Sequence, residues 1–527
     1  MRKTNARFHL TNNVNPFHYF CNMSLLSFLS KPLAKIIASR TRAWSSRPVE
    51  TQQKVFSELM KGGTNTAFGR DHHFSEIKNY ADFKQRIPVS DYEGLKSYIE
   101  KIKQGDANVL WKGKPLYLSK TSGTTSGIKY IPITKESLPN QLNSTRNALL
   151  SYIAETGNSK FLSGKLIFIS GSPALDHING IPVGRLSGIA NHHVPEYLKR
   201  NQLPSYTTNC IEDWEQKVDA IVDETVYQNM TFISGIPPWV QMYFDKLTER
   251  TGKKIKDIFP DFSLFVYGGV NYEPYRKKFE QSIGKKIDSI ELYPSSEGFI
   301  AYQDSQKDTS LLLLLNSGIF YEFIPASEFF NENPTRISIG DVELGINYAV
   351  ILNTNAGLWG YNLGDTIKFV SKNPYRIMVT GRIKHYISAF GEHVISEEVE
   401  KAIMKAAHEQ HAEVVEFTVA PQVNPDEGGL PYHEWFIEFA SMPDDLEKFR
   451  MTIDKDLQEQ NIYYRDLIHG NILQPLKLLA LRKDAFISYM RSQGKLGGQN
   501  KVPRLSNDRM IANELKKFAV TSQKISQ

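Results

Sequence analysis

Residues Thr121-Ser122-Gly123-Thr124-Thr125-Ser126-Gly127-Ile128-Lys129 constrain this chain more than any other stretch. Seven consecutive hydroxyl or glycine residues cannot build a core. Their amides and hydroxyls can wrap an anion, because glycine lets the backbone turn through positive φ and approach a ligand. Successive N–H groups then form a concave anion site, and Lys129 adds a positive charge. The plain alternative is a flexible Ser/Gly surface loop. Strand-like runs at Pro115–Ser119 and Lys129–Ile133 argue against it, since they hold the loop at both ends. The stretch is not a Walker loop, which needs GxxxxGK followed by Ser or Thr. Here three residues separate Gly123 from Gly127, and the lysine falls two positions later.

Length supports three or four domain-sized units in 527 residues. A 41% hydrophobic fraction supplies a large core, and a mean hydropathy of −0.38 is that of a soluble composition. The formal charge of +6 suits small anionic ligands but not nucleic acid, since no dense Lys/Arg tract accompanies it. Cys21 and Cys210 build neither a disulfide framework nor a thiolate metal site, which fits a reducing, cytoplasmic setting. The longest apolar run, Leu311–Leu315, is far short of the roughly 18 residues of a membrane span. Residues 1–22 read as a disordered or non-native extension, with Met23 opening a better amphipathic segment from Leu25 to Ile37.

Along the chain, residues 24–110 read as mostly helical, with Asp91 starting a helix through Tyr92, Leu95, Ile99 and Ile102. From 164, short apolar strands alternate with helices, the pattern of a mostly parallel sheet. The runs Thr231–Ser234, Leu264–Tyr267 and Ser289–Tyr293 each end in a Gly-, Pro- or Ser-rich turn. Ligands in such sheets bind beyond the carboxyl ends of strands, so these turns and the 121–129 loop are expected to share one cleft. After 310 the spacing turns hairpin-like and predicts an antiparallel subdomain. Residues 383–527 read as a small α+β domain joined at Gly381–Lys384, in which Ser396 caps a helix. The expected fold is therefore α/β, a large N-terminal domain over 23–382 with a β-rich part, and a hinged C-terminal lid.

Taken singly, the motif residues have ordinary readings. Glu297, after two serines at a strand end, is a surface charge or a hard-oxygen ligand for magnesium. Asp365 is a turn aspartate or an acceptor for ribose hydroxyls. Tyr293 is core and Gly268-Gly269 a tight turn. Their order carries the weight. It resembles the adenylate-forming, firefly-luciferase-like superfamily: TSGTTSGIK like its phosphate-binding signature, YGG (267–269) like its adenine wall, YPSSEG (293–298) like its Tyr-Ser/Thr-Glu motif, and YNLGD (361–365) like its ribose motif. Within it, FISGIPPWV (232–240), YGGVNYEPYR (267–276), LLNSGIFYEFIP (314–325) and GQNKVPR (498–504) resemble acyl-acid amido synthetases of the auxin-responsive Gretchen Hagen type. Coenzyme-A ligases of the superfamily usually carry TSGTTG-x-PKG, whereas Ile128 and Tyr130 stand here in place of the proline and glycine.

The resemblance implies ATP-dependent adenylation of a carboxylic acid, then amide formation with an amino acid, releasing pyrophosphate and AMP. It implies that Ser122, Gly123, Thr124, Thr125, Ser126, Gly127 and Lys129 hold phosphates. Glu297 holds magnesium beside Ser295 and Ser296, Tyr293 and Gly268-Gly269 flank adenine, and Asp365 holds ribose. Lys501 is the C-terminal lysine that swings in to the reacting carboxylate and α-phosphate. Arg382, counted with the nucleotide residues, and Lys384 lie where the family hinges. The amine step has no assigned base; His192, His193 and His385 are the available histidines. The acyl pocket is expected from Ile189–Tyr197 and Phe232–Trp239, residues that serve a core equally well. The competing readings are an acyl-CoA ligase with the same intermediate and a catalytically silent adenylate-binding protein.

Overall fold

The computed structural model describes residues 16–122, 128–269, 272–383, 386–387, 392, 394–423, 425, 429–469, 472–497, 501–506 and 508–520. Gly123–Gly127, Lys384 and His385 lie outside the described residues. A helix runs Pro16–Ser45, so residues 16–22 of the expected extension form its first turns.

The helical reading of the first hundred residues follows from caps and stripes. Asp91 accepts a hydrogen bond from the Glu93 amide (3.0 Å), an N-cap that satisfies an orphan donor. The helix Tyr92–Lys103 then buries Tyr92, Leu95, Ile99 and Ile102, one face at helical spacing. That face joins Phe68, Phe83, Trp111 and Trp359 in one core cluster.

The central scaffold is a single sheet of 11 strands. Lys165–Ile169, Met230–Gly235, Leu264–Gly268 and Asp288–Pro294 run parallel in that spatial order. The strand-rich region after 310 is antiparallel, as its spacing predicts, but it is not a separate sheet. Phe299–Tyr302 pairs antiparallel with Asp288–Pro294 and passes the sheet on through Leu311–Leu313 to Tyr375–Arg382. A local apolar pattern cannot reveal that join, because it depends on which strands find each other at long range, as Leu311 does Ile377.

YNLGD also differs from its reading as a turn. It opens the 12-residue strand Tyr361–Lys372, and Asp365 stands directly opposite Arg382 on Tyr375–Arg382. A second, smaller sheet pairs Tyr117–Ser122 antiparallel with Ile128–Ile133, with Ser122 opposite Ile128. The five residues between them therefore join two paired strand ends.

The C-terminal part has its own core. Strands Glu413–Gln422, Tyr432–Ser441 and Lys477–Leu481 form one sheet, packed by the helices Ser396–Glu409 and Leu446–Gln460. Ser396 is the first helical residue rather than the cap; Ile395 holds that place, and its amide donates to the Glu398 carboxylate at 3.0 Å.

Candidate active site

Four strand ends and one loop of the C-terminal part converge. Asp288–Pro294 ends in a turn closed both ways: the Ser295 amide donates to the Gly298 carbonyl (3.0 Å) and the Gly298 amide to the Ser295 carbonyl (3.2 Å). Gln141 pins that carbonyl from the helix behind (2.8 Å). Ser296 Oγ lies 3.0 Å from Ser119 Oγ, which ties the turn to the strand leading into the Ser/Gly loop.

Glu297, half-buried at the apex of this turn, accepts a hydrogen bond from the Tyr361 hydroxyl (3.2 Å). Burial pushes its pKa up, against the opposing pull of Lys129, and the negative charge of Asp365 pushes the same way as burial. Lys129 itself sits over the Tyr92 ring, 5.7 Å from its centroid.

Asp365 is shared. One oxygen accepts from the Tyr293 hydroxyl (2.7 Å), the other from Arg382 Nε (2.9 Å). A carboxylate has about four acceptor positions, so two remain for a ligand's hydroxyls. The Tyr293 ring itself is a member of the sheet core, and burial together with Asp365 drives its hydroxyl far above its ordinary pKa.

Gly268 and Gly269 end the neighbouring strand. A Cβ on Gly268 would collide with the Leu292 carbonyl, and Gly269 has φ of +83°. Both positions exclude a larger residue. The Gly269 carbonyl accepts from the ammonium of Lys501, delivered from the C-terminal part. Lys501 is exposed as a residue, yet desolvation is the largest influence on its ammonium. Loss of water there lowers its pKa to about 8, while Asp365 pulls it up and Arg382 pulls it down.

The structure thus gathers Lys129, Gly268, Gly269, Tyr293, Ser295, Ser296, Glu297, Asp365, Arg382 and Lys501 around one cleft, with Ser122 at its rim as the last residue of its strand. His192 and His193 are held elsewhere, while His385 lies outside the described residues. His192 Nε2 contacts the Pro173 carbonyl (2.8 Å) and His193 Nε2 the Tyr117 hydroxyl (3.0 Å). Of the expected acyl-pocket residues, Ile189, Phe232, Ile233 and Trp239 are core. Sequence reasoning missed Tyr361 as the partner of Glu297, although it opens the YNLGD motif. It also missed Tyr92, whose hydroxyl accepts from the Tyr130 amide (3.1 Å). A tyrosine in a helical stripe carries no signal for that.

Models of the GH3 family N-terminal, central and C-terminal domains match residues 38–202, 312–382 and 397–510. The chain belongs to the GH3 family. A jasmonoyl–L-amino acid synthetase of Nicotiana attenuata is 23% identical, over 86% of this GH3 chain and 90% of its own length. An indole-3-acetic acid-amido synthetase of Arabidopsis thaliana is 19% identical, over 87% and 89%. Among solved structures, an acyl acid amido synthetase, AtGH3.15 in complex with 2,4-DB, superposes with a TM-score of 0.76 at 16% identity. It covers 93% of this chain and 96% of that one. A 2-hydroxyisobutyryl-CoA ligase in its postadenylation state gives a TM-score of 0.56 at 13% identity, over 90% and 92%. The GH3 chain therefore has the adenylate-forming fold in its mixed α/β sheet.

Magnesium fits this cleft in one way only. Among the described residues no group of three or more His, Cys, Asp or Glu gathers to hold a metal on protein ligands alone. Glu297 is a single carboxylate whose charge burial disfavours, and a cation there relieves that cost. Magnesium takes one or two carboxylates and completes its shell with phosphate oxygens and water.

Proposed function

We propose that this GH3 chain is a ligase that adenylates a carboxylic acid with ATP and then passes the acyl group to an amino acid. In the first step a carboxylate oxygen of the acid bonds to the α-phosphorus, and pyrophosphate leaves. In the second the amine nitrogen bonds to the acyl carbon, loses a proton, and AMP leaves. A free carboxylate acylates poorly because oxide is its leaving group; adenylation replaces oxide with AMP.

The single observation that carries the reading is the place of Lys501. Its ammonium reaches across from the C-terminal part to the Gly269 carbonyl, within the fields of Asp365 and Arg382. Phosphoryl transfer asks the protein mainly for positioning and charge neutralisation. Lys501 neutralises the negative charge that collects where carboxylate meets α-phosphate. Asp365 takes the ribose hydroxyls on its free lone pairs, held in place by Tyr293 and Arg382. Ser122–Gly127 and Lys129 hold the phosphate chain. Glu297, Ser295 and Ser296 are the residues that would hold magnesium, which supplies charge neutralisation on the phosphates. The two cysteines, too few for a disulfide framework, fit a reducing, cytoplasmic setting.

The test is mass spectrometry of products after incubation with ATP, magnesium, a pool of carboxylic acids and either pooled amino acids or coenzyme A. An N-acyl amino acid with stoichiometric AMP is the expected result. A thioester in its place would transfer the chain to the acyl-CoA branch. ATP binding without any product would make it a silent nucleotide-binding protein.

A further inference from the structure

Nine buried side-chain nitrogen or oxygen atoms have no hydrogen-bond partner among the described residues, and four of them belong to one neighbourhood. They are Ser187 Oγ, Asn209 Oδ1, Trp214 Nε1 and Trp239 Nε1. The Trp214 and Trp239 rings meet edge to face at 5.2 Å. Lys217 is 2% exposed, with its ammonium 5.9 Å from the Trp214 ring. That ammonium donates to the carbonyls of Ser170 (2.9 Å) and Asn209 (2.7 Å). Next to Ser170, the place a Cβ would take on Gly171 is 3.5 Å from Ser187 Oγ and 3.7 Å from Arg185 Nε. Burial lowers the Lys217 pKa to about 8; the ionisable groups that act on it are Cys210 and Arg185. Among the described residues no carboxylate lies within ion-pair distance of Lys217 or Arg185.

A buried cation without a counter-charge is costly, and buried polar groups without partners are rare enough to need an explanation. Asn209 Oδ1 is an acceptor, but donors outnumber it: two indole N–H groups, a hydroxyl, the third ammonium hydrogen and a guanidinium. Its complement is an acceptor-rich anion, and a carboxylate offers about four acceptor positions and one negative charge. Ser170 follows the strand Lys165–Ile169, whose end pairs beside Gly235, and the next strand over ends at Gly268. Two steps across a sheet at ~4.8 Å each put the anion site about 10 Å from the Gly268-Gly269 turn where Lys501 reaches in. An extended chain covers roughly 1.2 Å per bond, so the two sites are about eight bonds apart. The α-carboxylate of an amino acid is too close to its own amine to span that gap. Gly497, four residues before Lys501, packs on the Trp214 ring.

Resting on the ligase reading above, we propose that Lys217, Arg185, Ser187 and the Trp214–Trp239 pair bind a second carboxylate at the far end of the acid substrate. The preferred acid is then dianionic, its reacting carboxylate at Lys501 and its distal one at Lys217.

Nonanedioic acid and nonanoic acid, equal in length and different only at the far end, are the probes. ATP–pyrophosphate exchange should run at least tenfold higher in kcat/KM on the diacid. Lys217→Met should collapse that ratio, and Arg185→Gln, at a more open position, should lower it several-fold. An equal ratio in the wild type overturns the proposal. So does a Lys217→Met variant that melts lower yet keeps the ratio, since Lys217 would then be only a brace between two carbonyls. If Lys217→Met instead raises KM for glutamate as amine acceptor and leaves the acid ratio alone, the anion belongs to the acceptor and the assignment to the acid is wrong. Calorimetric binding of nonanedioic acid separates this proposal from the ligase reading. Binding that Lys217→Met abolishes, without exchange on any acid, keeps the anion site and removes the activity. Exchange on monocarboxylic acids with no binding of the diacid does the reverse.

Discussion

Lys501 and Lys217 are both held at a pKa of about 8, and for the same reason, loss of water around the ammonium. Their surroundings differ. Lys501 arrives on an exposed loop, touches one carbonyl and feels a carboxylate, Asp365. Lys217 is built into the helix Trp214–Thr225, gripped by two carbonyls, and feels no carboxylate. On the proposed ligase reading Lys501 must arrive and leave, and such a lysine can be attached only by contacts that break cheaply. A lysine that waits for a ligand is fixed, and the charge it lacks is the charge the ligand brings. Desolvation alone therefore does not separate a reacting lysine from a recognising one; the neighbouring charges, and whether the lysine sits within a helix or outside regular structure, do.

The comparison breaks most readily at Lys501. Lys501→Ala should lower exchange by on the order of 10²–10³-fold, the usual cost of removing one preorganised charge from a phosphoryl-transfer site. Amide formation from chemically prepared acyl-adenylate should fall far less. Gly269→Ala should act on the same contact from the other side. Its Cβ would lie 2.5 Å from the Lys501 ammonium, at a φ of +83° that L-residues resist. About 1–2 kcal/mol of strain and a tenfold or larger loss of exchange are expected, read by thermal unfolding and kinetics together.

For Lys217 the sharper readout is stability against pH. Its folded pKa is about 8 against an ordinary 10.5. Between those values the unfolded chain binds more protons, so stability rises with pH through this window. The wild type should gain on Lys217→Met by up to about 3 kcal/mol from pH 8 to 10.5, at 1.36 kcal/mol per unit. A parallel pair of denaturation curves would mean that Lys217 is not desolvated.

Glu297 supplies a finer test. Its raised pKa places the acid limb of exchange above the ordinary carboxylate value, and the Tyr361 hydroxyl opposes that rise. Tyr361→Phe should therefore move the limb to higher pH. The smallest effect belongs to Glu215 and Arg491, an exposed pair linking the Trp214 helix to the C-terminal part. Reversing one charge should change exchange by less than about fivefold, within the worth of a surface pair, and reversing both should restore it.

The motif residues were legible because their chemistry is local: a Ser/Gly loop, a carboxylate after two serines, a glycine pair at a strand end. What joins them was not. Asp365 meets Arg382 only through a strand register that shifts between Thr366 and Ile367. Tyr293 reaches Asp365 from another strand of the same sheet. Lys217 was passed over inside an apolar helical stripe, since a lysine there reads as solvated; its burial comes from segments ending at 170 and 209. The merging of parallel and antiparallel halves into one sheet was hidden for the same reason.

The central claim is that acid activation runs through Lys501 in a cleft that also holds Glu297 and Asp365. ATP–pyrophosphate exchange over a panel of mono- and dicarboxylic acids, wild type beside Lys501→Ala, tests it most directly. Acid-dependent exchange in the wild type, reduced a hundredfold or more in the variant, is the predicted result. Exchange that persists in Lys501→Ala at wild-type rates, or its absence in a folded wild type that binds ATP, would contradict it.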